Sequence, residues 1–201
     1  MLIDNKHELT KGQETTIFQY LESNISTGGR FDFVTGYFTI SALSKLHDRI
    51  KSQAKYRIIL GDLFSLKPDR QHIIDLINQK HEINEIFSLR DDCEKAVEFL
   101  HKDNVEVKTI DKNFCHAKTY IYHNPVISKH KDNFYIVGSS NFTDAGIGIK
   151  PSSNIELNKL IVPSSMGITD GVLNKLVLDL IQFYSEKAEI TVNSKKDNPM
   201  L

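Results

Sequence analysis

The sequence predicts an α/β fold: a mixed, mostly buried β-sheet flanked by helices on both faces. Three observations predict it. Short β-prone runs alternate along the chain with apolar stripes at helical spacing. The composition, 40% apolar and 25% charged, is that of an ordinary folded domain. The 201 residues contain no long repeat and no low-complexity block, and they suffice for one sizeable core.

The elements follow in order. Ile17, Phe18 and Leu21 stand at helical spacing within 13–23. Phe31 to Phe38 is an aromatic, β-prone run holding Val34 and Gly36. Ala42, Leu43, Leu46 and Ile50 form a helical stripe, and Tyr56 to Leu60 a short apolar strand closed by Gly61-Asp62. After Pro68, Ile73, Ile74, Leu76 and Ile77 predict another helix; Cys93, Ala96, Val97 and Leu100 predict a third stripe. Val105, Val107 and Thr109 alternate as in a half-buried strand. Cys115 to Tyr122, Phe134 to Val137 and Asn154 to Val162 complete the strands. The clearest amphipathic helix comes last, with Val172, Leu173, Leu176, Val177, Leu180, Ile181 and Tyr184, as core or dimer packing. We expect one domain over 1–190 and a polar tail or linker stub over 191–201, a hint of one module within a longer protein.

Charge and cysteine usage narrow the function classes. Lys and Arg total 25, Asp and Glu 26, for a net charge of −1. That argues against a broadly basic nucleic-acid coat and leaves room for a local basic groove. No run of about 18 apolar residues predicts a membrane span. Residues Met1 to Lys6 lack the apolar block of a secretory signal. Cys93 and Cys115 form neither a CxxC pair nor a ligand cluster, so a reduced, cytoplasmic protein without structural zinc is expected.

Three segments carry chemistry. In Cys115-His116-Ala117-Lys118-Thr119-Tyr120, strand alternation would project His116 and Lys118 side by side and turn Cys115, Ala117 and Thr119 into the core. A neighbouring ammonium keeps an imidazole neutral and nucleophilic. In Phe134 to Thr143, an apolar strand runs into the small turn Gly138-Ser139-Ser140-Asn141, whose N–H, hydroxyl and amide donors suit phosphate oxygens. In Ser153-Asn154-Ile155-Glu156-Leu157-Asn158, Ile155 and Leu157 would face the core, leaving Glu156 with two amides on the other face, where it could hold a histidine ring. Taken singly, these are a solvated polar pair, a strand-ending turn and an edge glutamate.

Together, in this order and spacing, they resemble the phospholipase D superfamily. The similarity is greatest to its nuclease branch and to the nuclease-like modules attached to restriction enzymes and helicases. It covers roughly residues 31 to 162, with its specific part at 115–158; Thr35-Gly36-Tyr37-Phe38 and Ser41 also look like the first strand and turn of those modules. The resemblance implies a phospholipase D-like α/β/α sandwich. It implies His116 as the nucleophile that forms a phosphohistidine, Lys118 and Asn141 on the non-bridging oxygens, and Ser139, less surely Ser140, as a further phosphate donor. It implies Glu156 as the carboxylate orienting His116, and a second histidine to protonate the leaving oxygen and then activate water.

The chain departs from the family pattern twice. The full motif has an aspartate five residues after the lysine, where this chain has His123. That absence weakens a lipid-type assignment more than a nuclease one, and His123 reads as a strand-end polar residue. The chain also holds one HxK…N set where the mechanism needs two histidines. A two-fold homodimer placing His116 of each subunit over one phosphate would supply the second. No metal and no other cofactor is expected, since the acidic residues form no close carboxylate cluster.

Lys129, His130 and Lys131 are the preferred backbone contacts for a polyanion, beside a looser basic run of Lys45, Lys51, Lys55 and Arg57. Tyr37 and Phe38 are candidates for the cleft or the core. The expectation is therefore a metal-independent endonuclease acting on DNA, with RNA as the alternative polymer. It would be a homodimer, serving as the nuclease module of a restriction or defence system beside a helicase or recognition partner. The rival readings are a phospholipid hydrolase or transferase and a non-catalytic nucleic-acid-binding dimer.

Overall fold

The computed structural model describes residues 2–5, 16–25, 28–49, 54–60, 83–109, 115–124, 133–152, 154–163, 175, 179, 182 and 190–191, with backbone alone at 49, 83–89, 109 and 190–191. These residues form a mixed eight-stranded sheet with helices. In chain order the elements are β1 (Leu2–Ile3), α1 (Ile17–Asn24), β2 (Arg30–Thr35), α2 (Ile40–Arg49), β3 (Lys55–Leu60), α3 (Ile83–Leu100), β4 (Val105–Thr109), β5 (Thr119–His123), β6 (Phe134–Gly138), β7 (Asn158–Ile161) and β8 (Ile190–Thr191).

The sheet order is β1-β7-β6-β5-β2-β3-β4-β8. Strands β2, β3 and β4 run parallel, joined by crossovers that contain α2 and α3. Strands β5, β6, β7 and β1 extend the β2 side antiparallel, and β8 caps β4 antiparallel. Thr191 pairs with Lys108, so the sheet runs one residue past the domain boundary read from the sequence.

Local chemistry explains the helix ends. The Thr16 hydroxyl accepts the Gln19 N–H (3.3 Å) and the Gln19 side chain accepts the Thr16 N–H (3.0 Å), a capping box that starts α1. Ile25 turns extended while its N–H still reaches the Leu21 carbonyl, and α1 stops. Thr39 starts α2 by accepting the Ala42 N–H (3.3 Å).

The main core lies on one face of the sheet. Ile17, Phe18 and Leu21 of α1, Ala42, Leu43 and Leu46 of α2, and Ala96 and Phe99 of α3 pack there with Phe31, Phe33, Tyr56, Ile58, Tyr120, Tyr122, Phe134 and Ile136. Among the described side chains of α3 the buried ones are Ala96 and Phe99, while Val97, expected in the stripe, is exposed. The face of α3 carrying Asp92 and Lys95 meets α2 through Ser44–Asp92 (2.7 Å) and Lys95–Asp48 (3.0 Å), and Lys102, just past the helix, adds Lys102–His47 (2.9 Å).

The other face is buried as well. Val34, Ile59 and Cys115 form one small cluster and Ile121 and Tyr135 another. Of the helix expected over 172–184, Lys175, Asp179 and Gln182 are described; they are helical and exposed, at i, i+4 and i+7, which is the polar side of the predicted stripe. The apolar stripe itself, the helix expected at 73–77, and Ile50 lie outside the described residues. No helix among the described residues is long and apolar enough to cross a membrane. Cys93 and Cys115 are both free thiols.

A charged group is built into this second face. Buried Asp32 accepts Arg30 Nε (2.8 Å) and Arg57 Nη2 (3.1 Å). Arg57 is thereby committed to the fold rather than to the basic run expected from the sequence. His123 pairs with Arg30 across β5 and β2, and its ring stands edge-on to Tyr135. Burial pulls the His123 ring below its ordinary range; Asp32 opposes this, and Arg30 and Arg57 add to it. The folded chain therefore takes up this proton at lower pH than the unfolded chain, which does so near pH 6.5. Stability is fully present above about pH 6.5 and falls as the pH drops below it. In urea unfolding across that range, His123→Phe is expected to flatten the acid-side loss, because the ring packing stays and the titration goes.

Candidate active site

The register brings the three chemical segments to one end of the sheet. Val34 pairs with Thr119, Thr119 with Val137, and Gly138 with Asn158. The C-terminal ends of β2 and β6 and the N-terminal ends of β5 and β7 therefore sit side by side. The C-terminal ends of β3 and β4 lie in the same direction, where open sheets of this class expose their ligand crevices.

Cys115 and Ala117 pack together against Val34 and Ile59, as strand alternation predicts, while His116 and Lys118 differ in exposure. Strand β5 begins at Thr119, and just before it the Lys118 carbonyl accepts the Gly138 N–H of β6 (3.3 Å). His116 is exposed, whereas Lys118 is 4% exposed. The Lys118 ammonium turns back and donates to the His116 carbonyl (2.7 Å). Burial pulls this ammonium below the usual lysine range, against the opposing pull of Glu156 and, less, of Cys115. Cys115 packs inward with Val34 and Ile59, as expected, and burial raises its thiol against the Ala117 backbone and Lys118.

The turn after β6 is held from both sides. Only glycine fits at 138: a Cβ there would overlap the Asn158 side chain and the Leu157 carbonyl. Exposed Ser139 donates its hydroxyl to the Glu156 carboxylate and accepts the Leu157 N–H (3.0 Å). Ser140, a candidate phosphate donor from the sequence, is fully buried. Its N–H donates to Asn158 Oδ1 (3.2 Å), its hydroxyl accepts Asn158 Nδ2 (2.9 Å), and its carbonyl accepts the Tyr120 hydroxyl (2.7 Å). Ser140 thus serves the turn, and Ser139 is the exposed hydroxyl.

Asn141 is oriented from β2. Its Oδ1 accepts the Tyr37 N–H (3.2 Å), which turns its NH2 end away from that contact. Thr35, fully buried at the end of β2, donates to the Tyr37 carbonyl (2.6 Å), accepts the Phe142 N–H (3.0 Å) and lies 3.5 Å from Asn141 Oδ1. Thr39 exchanges bonds with Asp144, to Oδ2 (3.1 Å) and from its N–H (3.2 Å), and so links the head of α2 to the same loop.

The strand expected over 154–162 is confined to Asn158–Ile161. Ile155 is 73% exposed and Leu157 52%, so neither enters the core. The physical reason is that side chains take the backbone groups a strand would have paired. Asn5 Oδ1 accepts the Glu156 N–H (3.4 Å), and Ser139 Oγ takes the Leu157 N–H. Glu156 consequently sits in a loop, bound to Ser139 and close enough to bias both Lys118 and buried Tyr120.

The structure therefore brings together Lys118, Ser139, Asn141 and Glu156, with His116 exposed two residues from Lys118. Lys129, His130, Lys131 and Lys51 lie outside the described residues. Among the described residues, no three His, Cys, Asp or Glu side chains are grouped as metal ligands. The supporting roles of Thr35, Asn5 and Asn158 escaped the sequence reading, because each is a single short polar residue whose partners are more than 100 residues away or belong to another strand. Comparison with protein-family models and with curated proteins gave no match.

Thr35→Val keeps the side-chain shape and removes the bridging hydroxyl, leaving the buried Phe142 N–H without its acceptor. The expected loss, read by urea unfolding, is about 1–3 kcal/mol.

Proposed function

We propose that this protein is a phosphodiesterase of the nuclease type, cleaving DNA without a metal ion through a covalent phosphohistidine at His116. The observation that carries this reading is that an ammonium, a hydroxyl, an oriented amide and a carboxylate lie at one sheet end, with exposed His116 two residues from the ammonium. The order of their motifs, which resembles the phospholipase D superfamily, supports it further.

In this mechanism the His116 imidazole attacks phosphorus. An N–P bond forms as the bond to the leaving oxygen breaks, and the leaving oxygen takes a proton from a second imidazole. That imidazole then removes a proton from water, whose oxygen displaces His116 and leaves a phosphate monoester. Lys118, Ser139 and Asn141 stabilise charge on the non-bridging oxygens, the electrostatic contribution that usually dominates such reactions. The Ser139 proton rotates from Glu156 to phosphate, and Glu156 supports the imidazolium that develops.

The second imidazole is His116 of a partner subunit. Three large apolar residues border the site in the open: Val137 (46% exposed), Ile155 and Leu157. Apolar side chains grouped beside a polar site fit a surface that a second copy covers. The reducing cytoplasm suits the free thiols, and the module would serve restriction or defence.

Purified protein is expected to nick plasmid or single-stranded DNA in EDTA, through a trappable protein–DNA adduct. His116→Ala is expected to lose the adduct and at least about 10³-fold in rate. Lys118→Met is expected to lose about 10²–10³-fold. Cleavage abolished by EDTA, headgroup release from lipid vesicles in its place, or DNA binding without turnover would each overturn the reading. Leu157→Glu should convert dimers to monomers in light scattering and take cleavage with them; an active monomer would remove the shared site.

A further inference from the structure

The two neighbouring aromatic residues at the end of β2 part company in the structure. Phe38 bridges to Phe142 and packs on the main core. Tyr37 is 40% exposed. Its backbone is nevertheless held on both sides: its N–H donates to Asn141 Oδ1 and its carbonyl accepts the Thr35 hydroxyl. An exposed aromatic ring on an anchored backbone loses little freedom when a flat ligand packs against it. The Tyr37 backbone N–H, rather than its ring, is bound to the amide that the proposed mechanism uses to hold phosphate. In a nucleotide, one sugar separates base from phosphate, so a phosphate at Asn141 brings a flanking base within reach of Tyr37. Exposed Ile40, three residues on in the first turn of α2, adds apolar surface on the same segment.

We propose that Tyr37 is a stacking platform for the nucleobase flanking the bound phosphate, so that the site takes a single-stranded or locally unpaired polynucleotide. This rests on the phosphate site proposed above. Bases inside a duplex stack on one another and offer no free face. An aromatic platform accepts any base, in keeping with a site that offers phosphate donors rather than base-specific contacts.

The test uses the full chain carrying His116→Ala, which binds without turnover. Fluorescence anisotropy compares a labelled single-stranded 12-mer, a base-free deoxyribose-phosphate 12-mer and a 12-bp duplex. Adding Tyr37→Ala should weaken binding of the base-bearing strand by about 5- to 150-fold and leave the other two unchanged. Tyr37→Phe and Tyr37→Trp should stay within about twofold of tyrosine. Equal weakening for the base-free strand, no weakening at all, no binding of any oligomer, or a shift from dimer to monomer in Tyr37→Ala would overturn the proposal. Base-dependent loss in a protein whose His116 form cleaves nothing would uphold the platform and sink the catalytic reading; cleavage with no Tyr37 effect would do the reverse.

Discussion

Burying the Lys118 ammonium is the constraint around which this end of the molecule is organised. A buried cation is costly unless it is hydrogen-bonded and faces an opposite charge. The His116 carbonyl supplies the bond and Glu156 the charge. Glu156 can serve because Ser139 holds its carboxylate and Asn5 holds its backbone. Ser139 in turn stands where Gly138 lets β6 pass close to the start of β7. Each contact in the series satisfies the one before it, and the series starts from the backbone of His116, whose own side chain is exposed.

The sheet makes this possible by joining two styles of pairing at β2. On one side β3 and β4 are parallel and require helical crossovers, which supply the thick aromatic core over Phe33, Tyr56 and Phe99. On the other side β5, β6 and β7 are antiparallel, so alternate strand starts and strand ends fall at one edge. A purely parallel sheet would gather only strand C-termini there. The mixed arrangement lets the start of β5 contribute Lys118 beside the end of β6 with Ser139. Phe142 locks the two halves: its ring stacks on Phe33 at 4.5 Å while its N–H reaches Thr35.

Strong periodicity was readable from the amino-acid order, and single polar contacts were not. Ile17, Phe18 and Leu21, the Ala42–Leu43–Leu46 stripe and the apolar runs at 56–60, 105–109 and 134–137 appear as the expected elements, because burial of each depends on its own spacing. The candidate residues were legible as motifs, whereas it is the strand register that sets Lys118, Ser139 and Glu156 at one sheet end. The segment around Glu156 misled, since Asn154 to Val162 alternates like a strand. Asn5 and Ser139, remote in sequence, take its backbone groups and hold it as a loop with Ile155 and Leu157 outward. Before Thr119, alternation foretold the inward packing of Cys115 and Ala117, but not that Lys118 would be buried while His116 is exposed.

The two-residue strand β1 gives this arrangement a remote handle. Leu2 and Ile3 pair with the outer side of β7, the Ile3 carbonyl binds Asn158, and Asn5 spans to Ala145, Asn154 and Glu156. A stretch of four residues thus acts as a clasp across the acid loop and the glycine-serine turn together. Tension or displacement applied there, by a neighbouring domain or a fused tag, would be felt at the Glu156 carboxylate without Lys118 or Asn141 being touched.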